Sequence, residues 1–222
     1  MHIEATTALW FLIPALPICV YTFYVDMKHK RISNLTVWVL FASFLVLGVA
    51  LLPFDGALWM SYFGGIWDNL LRKLPYDTLT WLEPLRPAPA DGPLVKPPAD
   101  QIPWRFYNYV IVFVVGFLFW MLRQMGAGDV KLAAVMVLFM DPRDAGTVMW
   151  ICFAAILAAT ATTLLIRHTP LHRLAPEWAA WRQTSMDDPN TVGGGQRLTV
   201  PMGTGFGVTL CAYLALGALY GA

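Results

Sequence analysis

Gly126-Ala127-Gly128-Asp129-Val130-Lys131 stands between two apolar runs: Tyr107 to Leu122, apolar except for Asn108, and Val130 to Met140, apolar apart from Lys131. A carboxylate at the edge of such a run is costly to place in hydrocarbon, and ionisable groups held there usually serve a function. The two glycines carry no side chain, so another helix or an extended substrate backbone can pass close beside the acid. One aspartate alone is a thin case. The rest of the chain has to bring a second one to the same place.

Of the 222 residues, 58% are hydrophobic and only 13% charged, where a soluble domain runs nearer half apolar and about a quarter charged. The composition predicts an all-α polytopic membrane protein, one embedded domain over residues 1–222, with the lipid bilayer as its surroundings. A net charge of +1 supplies no global field, so nucleic acid is not an expected partner. Cys19, Cys152 and Cys211 each sit in an apolar run far from the others in sequence. That spacing excludes a CxxC zinc arrangement, argues against a disulfide framework, and reads as buried small hydrophobes.

The first apolar run, Thr7 to Val25, has about the ~20 residues a span needs. No basic segment precedes it and no Ala-x-Ala pattern follows, so it does not read as a cleavable signal. Pro14 and Pro17 fall inside it, and the run ends at Asp26, followed by Lys28, His29, Lys30 and Arg31. Ser33 and Asn34 offer cap chemistry for a second span, Leu35 to Leu52. Residues 53–104 then read as an external insert. Within it Trp59, Tyr62, Phe63, Ile66, Trp67, Leu70, Leu71 and Leu74 recur at three-and-four spacing, which predicts an amphipathic helix on the membrane surface. Pro84 to Pro103 holds seven prolines and reads as an extended linker.

Further spans are expected at Phe106 to Leu122, Val130 to Met140, Val148 to Ile166 and Val200 to Tyr220, about six in all. The fourth is short for a ~30 Å hydrocarbon core unless residues 126–129 lengthen it. Between the fifth and sixth lies a polar loop, 167–199. With this order, nine of the fifteen Lys and Arg residues fall on one side, at 28, 30, 31, 123, 131, 167, 173, 182 and 197. Four of the other six lie in the long insert, where charge counts for less. The positive-inside rule therefore places both ends outside and the Asp26 segment in the cytoplasm. Asp26 follows the first span and Asp129 the third, so they share a face; a true span at 56–74 would have separated them.

Two close carboxylates cannot both ionise cheaply, so one keeps its proton while the other is charged. Such a pair can activate water as general base and protonate a leaving amine as general acid, which suits peptide-bond hydrolysis. A plain alternative is that both acids only cap helices, Asp26 balancing Lys28 and Lys30, and Asp129 lying at a helix N-terminus.

Gly126-Ala127-Gly128-Asp129-Val130-Lys131-Leu132 resembles the GxGDxKL motif of the type IV prepilin peptidases. Asp26 followed by Arg31-Ile32-Ser33-Asn34 is similar to that family's first motif, with Ser33 standing where the family has proline. Val200-Pro201-Met202-Gly203 resembles the proline-containing motif that opens its last span. The resemblance implies an aspartic protease of the inner membrane that cuts the leader from prepilin-like substrates at the cytoplasmic face. Such substrates have a basic leader and an apolar helix. Asp26 and Asp129 are then the catalytic pair and Gly126, Gly128 and Lys131 their motif support, with no cofactor and no metal implied. Lys131 either tunes Asp129, steadies its loop or snorkels at the interface. The larger bifunctional members carry a cytoplasmic loop with paired cysteines and also methylate the new N-terminus. Without that loop, this chain is most similar to the small monofunctional type serving Tad/Flp-like pili.

Other signals are weaker. His168 and His172 are separated by Pro170 and flanked by arginines, a poor metal site, and Gly193-Gly194-Gly195 lacks the strand and helix of a phosphate loop. Among GxGD proteases, the presenilin type carries more spans and a Tyr-Asp deep in a helix, whereas Asp26 follows Val25 at a run's end. A small ion-coupled transporter or pilus-assembly subunit would favour acids near the membrane midplane rather than its edge.

Overall fold

A computed structural model describes residues 1–29, 31–71, 96–170, 178 and 202–221, and these form helices and short links with no strand among them. Within the described residues seven α-helices follow in order: α1 (Ala5–His29), α2 (Asn34–Leu51), α3 (Gly56–Leu71), α4 (Ile102–Met121), α5 (Ala127–Leu138), α6 (Ala145–His168) and α7 (Met202–Tyr220). A 3-10 turn, Pro142–Asp144, leads into α6. The polar loop beyond Pro170 apart from Trp178, most of the proline-rich linker, and Val200-Pro201 lie outside the described residues.

Among the described residues five segments are long and apolar enough to cross a membrane: α1, α2, α4, α7 and Pro142–Ile166. The chain is thus a multi-pass helical membrane protein. α4 carries Val110, Ile111, Val112, Val114 and Val115, β-branched residues that favour strands in water. In lipid every backbone polar group must be paired within the segment, so the same run is held helical. Trp38, Val46, Val49, Trp150 and Phe153 point out from the bundle, as lipid-facing residues do.

Several boundaries differ from the sequence reading. α1 runs through Pro14 and Pro17 and continues past Val25 to His29, so Asp26 lies inside its last turns rather than after its end. Lys28 and His29 in that last turn complement the negative end of the helix dipole, which favours the extension. Pro103, expected in the linker, stands in the first turn of α4, where a missing N–H costs nothing. α2 begins as expected, with the Ser33 side chain accepting the Leu35 N–H at 3.2 Å.

The expected fourth span is short, as its apolar run indicated. α5 starts at Ala127, with Gly126 as its N-cap, and has only 12 residues, about 18 Å at 1.5 Å per residue. It does not cross the ~30 Å core by itself. Its end is fixed by the 3-10 bonds Phe139 N–H to Met136 O and Met140 N–H to Val137 O, both 3.1 Å, and by Pro142 close behind. Arg105 of α4, only 2% exposed, donates from Nη1 to the Leu138 carbonyl at 3.1 Å and so caps the helix with a cation.

α5 lies against α4 and is flanked by α2 and α7, while α1 packs chiefly on α7. Gly116 permits the α4–α5 approach, since a Cβ there would stand 2.8 Å from Val130 Cγ1. Phe11, Phe44 and Phe139 bring α1, α2 and the end of α5 together with ring centroids 5.1–6.0 Å apart, a spacing at which tilted and edge-to-face pairs attract. α3 docks on the start of α4 through Trp59, which donates its indole N–H to Gln101 and packs 5.2 Å from Trp104.

At the end opposite Asp26 and Asp129, the N-terminal segment is fastened to Asp144. That carboxylate accepts the His2 N–H at 2.9 Å, the Tyr213 hydroxyl at 3.0 Å and the Ile3 N–H at 3.4 Å, with the His2 ring Nδ1 at 2.9 Å. Asp141 beside it pairs with Arg143 at 2.9 Å. All three cysteines are free; Cys19 is buried, whereas Cys152 and Cys211 are partly exposed.

Candidate active site

The ends of α1, α5 and α7 meet where Asp26, Asp129 and the Gly203-Thr204 turn lie. Asp26, 4% exposed, turns its Oδ2 to the first turn of α7, where it accepts the Thr204 backbone N–H at 2.9 Å and the Thr204 hydroxyl at 3.3 Å. The N-terminus of a helix suits an anion, because its free N–H groups and dipole both favour negative charge. Gly203 allows this approach: a Cβ there would lie 3.0 Å from Asp26 Oδ2 and 2.7 Å from Ile32 Cδ1.

Asp129 is half-buried in the first turn of α5, three residues beyond the N-cap Gly126. Burial and, next, the nearby Asp26 charge push its carboxyl up to about 6, against the pull of the Gly126 backbone N–H. The bond to Gly126 is half of a capping box, the N3 side chain reaching back to the N-cap amide. It is possible because residue 126 has no side chain, since a Cβ there would come 2.7 Å from Asp129 Oδ2.

The sequence reading expected the glycines to admit a neighbouring helix or substrate backbone. The neighbour at Gly128 is the chain's own α1–α2 link, with Ile32 Cβ 3.0 Å and the Ile32 carbonyl 3.5 Å from where a Cβ would stand. Ile32 thus wedges between Gly128 of α5 and Gly203 of α7. Lys131 extends from α5 to α2, donating to Asn34 Oδ1 at 3.1 Å, and so ties two helices together instead of pairing with Asp129. Lys28 turns back along α1, with Nζ 3.3 Å from the Tyr24 hydroxyl, and is not a counter-ion for Asp26.

The structure therefore brings together Asp26, Asp129, Gly126 and Gly128, with Lys131 on the neighbouring α2–α5 seam. Ile32, within the first motif, and Thr204, directly after the last one, are additional members of the site. A hydroxyl between two glycines at the start of a span, Gly203-Thr204-Gly205, was the available signal. An open cleft of about 570 Å³ lined by Val25, His29, Arg31, Ile32 and Ser33 lies at the α1–α2 link. Among the described residues no group of three or more His, Cys, Asp or Glu could hold a metal ion.

Fold and site define a class: a multi-pass helical membrane protein whose two aspartates converge at the ends of separate helices. The type IV leader peptidase family matches residues 91–165, and this match supports the prepilin peptidase family for the chain. It takes in α4, α5 and most of α6, and hence Asp129, but stops short of Asp26 and Thr204 on either side. No curated protein and no solved structure matches the chain at a significant level.

Proposed function

We propose that the chain is an aspartic endopeptidase of the cytoplasmic membrane that cleaves the leader from type IV prepilin-like substrates at the cytoplasmic face. Asp26 and Asp129 are its catalytic pair. The observation that carries the reading is their convergence from α1 and α5, with Asp129 held up to about 6 by burial and by Asp26. Two carboxylates that share one proton hold both the base and the acid of amide hydrolysis near neutral pH. The charged member takes a proton from water as its oxygen bonds to the scissile carbonyl carbon. The neutral member gives its proton to the leaving nitrogen as the C–N bond breaks. Gly126 and Gly128 fix the first turn of α5 and so the position of Asp129, and Lys131 holds α5 to α2. A basic leader stays on the polar side while the following apolar helix rests among the spans. The absence of a cytoplasmic loop with paired cysteines supports cleavage without methyl transfer.

The test is cleavage of a prepilin-like substrate by purified variants. Asp26→Asn and Asp129→Asn are each expected to abolish cleavage, and the double variant to cost little more, because members of one catalytic device are far from additive. Asp→Glu at either position is expected to fail as well, since an added methylene displaces the carboxylate beyond near-attack geometry. The hydrogen bonds from Thr204 and Gly126 favour one competing reading, that both acids are only helix caps in a transporter or assembly subunit. Near wild-type cleavage by either well-inserted Asn variant would reduce that acid to a helix cap and refute the catalytic pair, and no cleavage by the wild type would decide for the transporter or assembly subunit.

A further inference from the structure

If Asp26 and Asp129 act as a proton-sharing pair, as proposed above, their surroundings are unequal in a way that divides the roles. Asp26 is the more deeply buried, and two donors of Thr204, the backbone N–H at 2.9 Å and the hydroxyl at 3.3 Å, converge on its Oδ2. Burial alone disfavours a charge there, but hydrogen bonds to the charged form favour it, and with two donors on Oδ2 only Oδ1 is left open to a proton. Asp129 receives the single Gly126 amide and faces the Asp26 charge.

From this geometry we infer that Thr204 is a positioning residue that holds Asp26 as the ionised member of the pair. Asp26 then takes the proton from the attacking water, and Asp129 delivers its own to the leaving amine. The new carbonyl C–O bond replaces the C–N bond. Return of one proton from Asp26 to Asp129 restores the starting state, so water and peptide are the only reactants. Burial and then Asp26 push Asp129 up to about 6, so it is protonated below that value and holds a proton in a minor fraction of molecules at neutral pH.

The other ionisable groups near Asp26 are few among the described residues. α5 contributes Asp129, and its Lys131 is engaged by Asn34. α1 contributes Lys28, turned to Tyr24, and the exposed His29, and the link to α2 contributes the exposed Arg31. Residues 202–206 of α7 and 33–37 of α2 contain no ionisable side chain.

The acid limb of the kcat profile reports the group that must be charged and the alkaline limb the group that must be protonated, as macroscopic steps of the pair. Thr204→Val keeps shape and the backbone donor but loses the hydroxyl. It is expected to lower kcat roughly 3- to 10-fold with KM little changed, and to raise the acid limb by roughly half a pH unit while the alkaline limb stays in place. Thr204→Ser is expected to restore both. If the valine does not accumulate in folded form, Thr204→Ala repeats the measurement without added bulk. Movement of the alkaline limb alone would reverse the assignment. A profile that keeps its wild-type position, or a serine variant as impaired as the valine, would reduce Thr204 to a packing residue. Either result leaves the catalytic pair intact, which fails separately if Asp26→Asn or Asp129→Asn still cleaves.

Discussion

Ile32 separates two glycines whose loss is expected to have different remedies. At Gly128 an added Cβ would stand 3.0 Å from Ile32 Cβ, 3.5 Å from its carbonyl oxygen and 3.7 Å from its Cα. Those atoms are fixed to the backbone, so relief needs the α1–α2 link and α5 to part by a few tenths of an ångström. Overpacking of this kind costs about 1–3 kcal/mol, offset in part by alanine's helix preference of about 1 kcal/mol over glycine. The net loss of stability in Gly128→Ala is therefore small. Its effect on rate is larger, because the displaced turn carries Asp129 next in sequence. A misplacement of 1 Å costs ~100-fold, so a few tenths is expected to lower kcat on the order of 10-fold.

At Gly203 the added Cβ would meet Ile32 Cδ1 at 2.7 Å and Cγ1 at 3.1 Å, besides Asp26 Oδ2 at 3.0 Å. Two of these three contacts belong to the outer atoms of one side chain. Ile32→Ala removes them, whereas it leaves the Cβ, Cα and carbonyl that obstruct residue 128. The assay is cleavage of a prepilin-like substrate in detergent, with thermal stability recorded alongside and each double variant compared with Ile32→Ala alone, as a double-mutant cycle requires. Ile32→Ala is expected to recover part of the activity lost in Gly203→Ala and none of that lost in Gly128→Ala. Equal rescue of both, or a Gly128→Ala enzyme with the wild-type rate, would refute the wedge.

The spans were legible because apolar runs of about 18–20 residues leave few choices in a bilayer, and Ser33 announced the start of α2. The common location of Asp26 and Asp129 was legible too, since two crossings between them return the chain to the same side. What escaped depends on contacts that no run or motif encodes. The Thr204–Asp26 bond joins residues 178 positions apart, and the Gly-Thr-Gly setting marks the threonine without naming its partner. Nothing in the sequence singles out Arg105, next to the expected start of a span, yet it is buried because the short α5 leaves carbonyls without partners and a guanidinium can satisfy one. Lys131 lies close to Asp129 in sequence, but helix geometry at the start of α5 turns it to Asn34. The extent of α5 is set in the same way, by Gly126 at one end and by Arg105 and Pro142 at the other, rather than by the length of its apolar run.

Two further outcomes follow from the opposite end of the bundle and from titration. Asp144→Ala leaves the buried Tyr213 hydroxyl and the amides of His2 and Ile3 without their acceptor; thermal unfolding is expected to show a loss of about 1–3 kcal/mol, with cleavage per folded molecule unchanged. Asp129→Asn is expected to be inactive and yet more stable than wild type near neutral pH, and the sign follows from linkage. A carboxyl whose folded-state value is raised to about 6 from an ordinary ~3.9 holds its proton in the folded protein while the unfolded chain releases it. Wild-type stability therefore falls as pH rises between those two values and is level above them. Asparagine does not titrate, so the variant's advantage in melting temperature is absent near pH 4, grows through that window and persists above it. An advantage that is constant with pH, or that grows toward acid, would show that Asp129 keeps an ordinary carboxylate in the folded protein and holds no proton to give.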